Sequence, residues 1–192
     1  MTSSRIDQQV AFLTEADQLK LVDRATSLTD ASRRENSAEH SWHVALYALI
    51  LADQAHPDVD ISRVIKMLLI HDLVEIDAGD APIFGQYDTD KLAQEEAAAA
   101  ARIFGLLPPD QACNLRQLWN EFEAATSPDA QFAKSMDRFQ PPNQNLASGG
   151  GTWAEYNVTL DQIETRVGSK IARGAPALWH WLKPRIKSVL GP

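Results

Sequence analysis

The sequence is poor in cysteine, with Cys113 as the only one among 192 residues. A single thiol cannot form an intrachain disulfide, so we expect a reducing compartment, the cytoplasm. Cys113 stands at helical spacing with Leu106 and Leu118. This spacing predicts a structural role in helix packing rather than a catalytic thiol.

Long apolar runs are also missing. The longest ones, at residues 44–52 and 64–70, are far shorter than the roughly 20 residues that a membrane-spanning helix requires. The N-terminal stretch MTSSRIDQQVAFL has neither a basic segment nor a small-residue cleavage site, so we expect no signal peptide. These features predict a soluble protein with no membrane partner.

The chain lacks an excess of positive charge, and its formal net charge is -8. A basic surface is what nucleic acids and anionic membranes bind, so we expect neither as a partner. If the substrate is a small anion, the local positive charge has to come from a metal ion or from a few arginines.

No convincing run of alternating β-branched residues occurs, and helical signals dominate. We predict one all-α domain spanning residues 1–192. The predicted helices lie at 7–28, after the capping box Asn36–Glu39, at 61–76, at 91–107, after Pro109, after Pro128 and after Pro176. Residues 141–151 are predicted to form a loop, followed by a second capping box at Thr152 and Glu155.

The segment MLLIHDLVEIDAGD, residues 67–80, begins apolar and ends rich in ionisable groups. On a helix, Glu75 would share a face with both His71 and Asp72, whose side chains project about 100° apart. Acids at a helix C-terminus oppose the helix dipole, which favours a functional interpretation over a merely charged helix end. The spacing therefore suggests two ligands that converge on one ion.

Two further segments offer ligands for such an ion. His40 lies in the first turn of a helix that is otherwise apolar inward, and Asp137 lies among the apolar residues of FAKSMDRF. Taken singly, His40 could be a locally hydrogen-bonded histidine and Asp137 a surface acid. Together with His71 and Asp72 they would form a mixed nitrogen and oxygen site suited to Mn, Fe, Co, Ni or Zn.

Three segments resemble, in order and spacing, the H…HD…D pattern of the HD-domain metal-dependent phosphohydrolases, and most nearly their 5'-deoxynucleotidase branch. They are ENSAEHSWHVALYALILA, MLLIHDLVEIDAGDAP and LWNEFEAATSPDAQFAKSMDRF. The resemblance covers residues 12–140. It implies a compact helical HD domain, onto which helices at 152–190 would pack, and a homodimer.

The resemblance also implies roles for individual residues. One divalent ion (Mn, Co, Fe, Ni, Zn or Mg) would be held by His40, His71, Asp72 and Asp137. Glu75 and Asp80 would lie beside the attacking water and the substrate, and Asp80 would either protonate the leaving oxygen or bind a sugar hydroxyl. Phosphate would be bound by Arg24, with Arg33 and Arg34 as alternatives. Ala25 replaces a bulky residue of this branch, which leaves the choice between deoxyribose and ribose open.

The implied activity is hydrolysis of (deoxy)nucleoside 5'-monophosphates to nucleoside and phosphate. An alternative within the hydrolases is another phosphate ester, such as a cyclic nucleotide or an alarmone. A di-iron HD oxygenase would need more histidines between Asp72 and Asp137, where none occurs, and His43 is interpreted as a neighbour of the site. A binding module with a structural metal would not need Glu75 and Asp80.

Overall fold

The computed structural model describes residues 3–191 and confirms a predominantly helical fold. The predicted domain bounds also include residues 1, 2 and 192, which lie outside the described residues. The α-helices are α1 (Arg5–Ala16), α2 (Ser37–Ile50), α3 (Ile61–Ile70), α4 (Glu75–Ala78), α5 (Thr89–Phe104), α6 (Pro109–Ala124), α7 (Pro128–Ala147), α8 (Leu160–Ile163), α9 (Ser169–Gly174) and α10 (Pro176–Leu190). Two short antiparallel strands are present, β1 (Asp23–Ser27) and β2 (Arg34–Asn36).

Helix starts follow the capping signals of the sequence in two places that matter for the site. The side-chain oxygen of Asn36 accepts a hydrogen bond from the backbone N–H of Glu39 at 2.9 Å, and the Glu39 carboxylate accepts one from the N–H of Asn36 at 3.1 Å. At the start of α7, the Ser127 hydroxyl accepts a hydrogen bond from the N–H of Ala130, with Pro128 in the first turn. The helices that carry His40 and Asp137 therefore begin where the sequence predicts.

The single helix predicted over 7–28 is wrong. α1 ends at Ala16, a 3-10 turn follows at Asp17–Leu21, and the chain then enters β1, whose Asp23 pairs with Asn36 of β2. Residues 23–27, DRATS, include three with low helix propensity, and their side chains compete for backbone hydrogen bonds. This hairpin brings Arg24 and Glu35 to the interior side of the molecule.

The helix predicted over 61–76 is interrupted. α3 ends at Ile70, and the segment His71–Val74 is a 3-10 helix that leads into α4. Gly79 ends α4 with a positive φ of 75°, close to the predicted stop. The tighter 3-10 turn changes the direction in which His71 and Asp72 project relative to an uninterrupted α-helix.

The predicted loop at 141–151 is also wrong in its first half, because α7 continues through Pro141 and Pro142 to Ala147. Gln144 and Asn145 are buried there, so tertiary packing overrides the local penalty of two prolines. The capping box predicted at Thr152 and Glu155 does not form, and the equivalent one begins α8 at Thr159 with Gln162.

The core consists of two apolar clusters. The larger joins α2, α3, α6 and α7 to the C-terminal helices, and the smaller joins α1, α5 and α6 to the 3-10 segment after α3. Cys113 lies outside both, because it is exposed on α6, so the predicted packing role of its side chain is wrong. Among residues 3–191, no helix combines the length and the apolar character needed to span a bilayer.

The C-terminal helices pack closely on α7. A Cβ atom added at Gly174 would lie 2.2 Å from the carbonyl oxygen of Gln131 and 2.4 Å from Oγ of Ser135. Only glycine therefore permits α9 to approach α7 this closely.

Candidate metal centre and active site

The four side chains predicted as metal ligands come from three segments of the chain and lie close together. Nε2 of His40 lies 3.2 Å from Oδ1 of Asp137 and 3.9 Å from Oδ2 of Asp72. Nε2 of His71 lies 3.0 Å from Oδ1 of Asp72 and 3.8 Å from Oδ1 of Asp137. All four residues are buried. We call His40, His71, Asp72 and Asp137 the four-residue cluster.

Neighbouring groups fix the orientation of both imidazoles. Nδ1 of His71 is 2.8 Å from the carbonyl oxygen of Leu68, and the indole of Trp119 donates to the carbonyl oxygen of His71 at 3.2 Å. Nδ1 of His40 is 3.0 Å from Oε1 of Gln140. In both residues Nδ1 is occupied by an oxygen acceptor, which leaves Nε2 to face the centre of the cluster.

A buried network behind His40 was not predicted from the sequence. Gln140 Nε2 donates to Oε1 of Glu35 at 3.1 Å and lies 3.2 Å from Nδ1 of His43. Glu35 Oε2 in turn lies 3.6 Å from Nδ1 of His40. The one available signal was that Gln140 follows Asp137 by three residues and so shares its helix face.

The charges in the cluster are strongly coupled. Burial raises the pKa of Asp72, but His71 and Arg24 outweigh it and hold this pKa below its ordinary value. Burial also raises the pKa of Asp137, but Arg138 and the two histidines outweigh it and hold this pKa below its ordinary value. Although burial lowers the pKa of His71, Asp72 and Asp137 raise it to about 10. The carboxylates therefore stay ionised, as metal ligands must be.

Arg24 lies against the acidic side of the cluster. Its Nη1 is 2.9 Å from Oδ2 of Asp72, 3.6 Å from Oε1 of Glu75 and 3.5 Å from Oδ1 of Asp80, and its Nε is 3.9 Å from Oε2 of Glu35. Burial alone would lower the pKa of Arg24, but the carboxyl groups of Asp72, Glu75, Asp80 and Asp137 raise it overall. The guanidinium thus compensates a dense group of buried acids.

Glu75 and Asp80 line the same cavity as His71, Asp72 and Asp137 of the four-residue cluster. The Ser37 hydroxyl donates to Oε2 of Glu75 at 2.5 Å, and the backbone N–H of Ala25 donates to Oδ2 of Asp80 at 3.3 Å. Burial, reinforced by Asp72, raises the pKa of Glu75 to about 8, and burial also raises that of Asp80. Carboxyl groups with raised pKa values beside a cavity are suited to proton transfer.

The two alternative arginines do not line this cavity. Arg33 pairs with Glu39 on the surface at 2.5 Å, and Arg34 pairs with Glu155 at 2.6 Å. Of the three arginines considered for phosphate binding, only Arg24 is near the cluster. Asp77, the remaining acid of the HD segment, binds Arg102 at 2.6 Å on the surface.

The cavity above the cluster has walls of different character. One part of the lining is charged, and it includes Lys134 and Arg138 of α7 together with Glu96 and Glu123. A second part of the lining is apolar and aromatic, and it comes from the loop after α4 and from the region after α7. Its residues include Ile83, Phe84, Tyr87, Trp153 and Tyr156.

The donor set of the cluster fits a divalent metal ion. One ligand atom each from His40, His71 and Asp72 can be chosen so that all lie within 4.8 Å of one another. Nε2 of His71 is buried and makes no contact with hydrogen-bond geometry within residues 3–191, despite its short distance to Asp72. Two imidazole nitrogens and carboxylate oxygens suit Mn, Fe, Co, Ni or Zn.

Comparison with known proteins agrees with this geometry. Residues 16–179 match the HD domain family. A 5'-deoxynucleotidase HDDC2 of Homo sapiens is 29% identical over 128 residues, which are 66% of this chain and 61% of that protein. A 5'-deoxynucleotidase of Pasteurella multocida (strain Pm70) is 37% identical over 109 residues, 52% of this chain and 54% of that protein. The chain thus aligns with about 61% of the length of the first of these relatives.

Solved structures extend the similarity to nearly the whole chain. The crystal structure of a predicted metal-dependent phosphohydrolase from Magnetospirillum magnetotacticum MS-1 superposes with a TM-score of 0.89 and 45% identity, covering 97% of this chain and 96% of that chain. A protein of Pyrococcus horikoshii OT3 has a TM-score of 0.66 at 22% identity and shares the fold. The family match, which covers most of the chain, and the buried H…HD…D constellation lead to one conclusion: the protein belongs to the HD domain family.

Proposed function

We propose that the protein is a metal-dependent phosphohydrolase that cleaves deoxynucleoside 5'-monophosphates to nucleoside and phosphate. The observation that carries this proposal is the convergence of His40, His71, Asp72 and Asp137, of which the last three line a cavity that also contains two carboxyl groups of raised pKa. The names of the sequence relatives, 5'-deoxynucleotidases, support the substrate class.

The four-residue cluster would hold one divalent ion. When bound, such an ion supplies positive charge for the phosphate and lowers the pKa of a water molecule toward neutrality. His43 would not be a ligand, because its Nδ1 is 3.2 Å from Nε2 of Gln140, behind His40. This arrangement supports a single-ion site rather than a di-iron one.

Glu75 would orient the attacking water and accept its proton. The hydrogen bond from Ser37 fixes one of its carboxylate oxygens and leaves the other, Oε1, on the side of Arg24. Arg24 would contact the phosphate from the acidic side of the cavity. Asp80, held by the N–H of Ala25, would protonate the leaving 5'-oxygen or bind a hydroxyl of the sugar.

The nucleoside would lie along the aromatic wall. Phe84, Tyr87, Trp153 and Tyr156 line the cavity. Aromatic rings stack on any nucleobase, so this wall supports binding of a nucleotide without dictating one base.

Three wider properties belong to the same proposal. A single domain is supported by the packing of α9 and α10 on α7, and a cytoplasmic location by the lone free thiol of Cys113. A homodimer is supported by an unusually apolar exposed face, which includes Trp42, Leu46, Leu49, Ile50 and Trp181. Sedimentation velocity tests the dimer, and a monomer at micromolar concentration would contradict it.

The decisive experiment is a phosphate-release screen of deoxy- and ribonucleoside 5'-monophosphates with several divalent ions. We expect activity that a chelator abolishes, with deoxynucleotides preferred. Glu75→Gln should retain the metal and lose turnover by a factor of about 100 to 10,000, the usual contribution of a general base. Glu95→Gln, an equal change on the exposed surface of α5, is the control. Full activity of Glu75→Gln would contradict the role of Glu75, and absence of phosphate release from every substrate would contradict the function.

A further inference from the structure

The positive charge of Arg24, beside the four-residue cluster, is already compensated by neighbouring carboxyl groups. Arg24 lies within 4 Å of several carboxylates, and its side chain is only 12% exposed. Five carboxyl groups surround the proposed ion and this arginine, namely those of Glu35, Asp72, Glu75, Asp80 and Asp137. A divalent ion and Arg24 supply three positive charges among five carboxyl groups, so they leave little positive charge to offset the repulsion from those acids that are ionised. A phosphate dianion would add to that repulsion.

Arg138 is the one cavity-lining cation in the described residues whose donors are still available. It follows Asp137 directly on α7, and among the described residues its only ion-pair partner within 4 Å is Oδ2 of Asp137, 3.5 Å from its Nε. Within residues 3–191 its guanidinium makes no hydrogen bond to a protein group. Its side chain is 33% exposed, so the planar fork can reorient toward the cavity.

Lys134, one turn earlier, is less free. Its Nζ lies 3.0 Å from Oε1 of Glu123 and 3.8 Å from the ring centroid of Phe122. Both contacts hold the ammonium against the wall of the cavity and use its charge. The charge of Lys134 is therefore paired with that of Glu123, whereas the guanidinium of Arg138 keeps hydrogen-bond donors free for a ligand.

We propose that Arg138 is a substrate-binding and catalytic residue, whose guanidinium donates two hydrogen bonds to non-bridging phosphate oxygens on the α7 side of the proposed ion. This assignment rests on the proposed phosphohydrolase function. Arg138 would place the phosphate between itself and Arg24, with the four-residue cluster beneath. Because negative charge on these oxygens must be balanced throughout phosphoryl transfer, the contact contributes to both binding and turnover.

The test compares wild-type protein with Arg138→Gln, Arg138→Lys and the control Arg173→Gln, all loaded with Mn²⁺. Arg173 is exposed on α9 and does not line the cavity, so its substitution makes the same charge change elsewhere. We expect Arg138→Gln to lower kcat/KM for a deoxynucleoside 5'-monophosphate by about 100-fold. It should also raise the inhibition constant of inorganic phosphate at least tenfold, with Mn²⁺ affinity unchanged.

Arg138→Lys should recover only part of the loss, since an ammonium keeps the charge and lacks the fork. In Arg138→Ala, added guanidinium ion should restore part of the turnover, which a structural role would not allow. An unchanged phosphate inhibition constant in Arg138→Gln would overturn the assignment. So would a loss of Mn²⁺ affinity that matches the loss of activity, because Arg138 would then serve only to position Asp137.

Failure of the proposed function is distinguishable from failure of this assignment. If the wild-type protein releases phosphate from no substrate, the proposed function falls. Calorimetric binding of inorganic phosphate to the Mn²⁺-loaded proteins then decides the role of Arg138 alone. At least tenfold weaker binding in Arg138→Gln would support it, and equal binding would overturn it.

Discussion

Replacing Gln140 with leucine should weaken metal binding although Gln140 is not a proposed ligand. Its Oε1 is 3.0 Å from Nδ1 of His40, and its Nε2 donates to Glu35 at 3.1 Å, in a position with no solvent exposure. Leucine keeps the volume and removes the acceptor that orients the imidazole. Loss of such a supporting contact usually lowers metal affinity 10- to 100-fold, which corresponds to about 1.4 to 2.8 kcal/mol. Buried Glu35 and partly buried His43 would also lose a partner, which lowers the free energy of unfolding by about 1 to 3 kcal/mol.

Titration calorimetry with Mn²⁺ measures the affinity, and phosphate release as a function of free Mn²⁺ measures its consequence. At saturating Mn²⁺ the turnover of Gln140→Leu should approach that of the wild type. Asn143→Leu is the matched control, since this amide lies on the same helix and donates to the Tyr47 hydroxyl at 2.7 Å, away from the cluster. If Gln140→Leu bound Mn²⁺ as tightly as Asn143→Leu, the orienting role of Gln140 would be refuted.

Other perturbations probe the same architecture. Asp72→Asn should reduce the bound metal, measured by atomic emission, and abolish phosphate release; a fully metallated variant would contradict the ligand assignment. Free Mn²⁺ at a hundredfold excess over its Kd should stabilise the fold by about 2.7 kcal/mol and raise the Tm, and a chelator should reverse this. A Tm that neither Mn²⁺ nor the chelator changes would argue against a metal site in the folded protein. Gly174→Ala should lower the free energy of unfolding by about 1 to 3 kcal/mol in urea titrations, because its Cβ overlaps the Gln131 carbonyl oxygen. Wild-type stability would show that α9 can shift on α7 without penalty.

The sequence predicts which side chains lie close together better than it predicts the backbone that holds them. Residue type and spacing pointed to His71 and Asp72, which lie in the four-residue cluster, and the capping box at Asn36 placed His40 in the first turn of its helix. Arg24 was expected on the long helix over 7–28, yet it reaches the cluster from a strand. A short hairpin depends on pairing between segments, which local propensity does not report.

Other failures share a physical cause. Pro141 and Pro142 signal a loop by local rules, but contacts of α7 with neighbouring helices maintain the helix. The contacts of Glu35 and Gln140 with His40 could not be predicted from the sequence either. In the sequence Glu35 is an ordinary charged residue, and it is buried only because it lies in β2. Long-range packing decides both cases, and a single sequence carries little record of it.

The cluster residues are widely separated along the chain, so a metal ion bound to them would join distant segments. His40 and Asp137 are 97 positions apart, and their side chains meet only when α2 and α7 dock. A metal link that closes so long a loop would restrict the conformational entropy of the chain, as disulfides do in secreted proteins. Ion capture during synthesis would have to await emergence of α7 from the ribosome, and ion loss from the mature protein would accompany undocking of whole helices. Metal retention would thus report the integrity of the entire tertiary structure rather than that of one local motif.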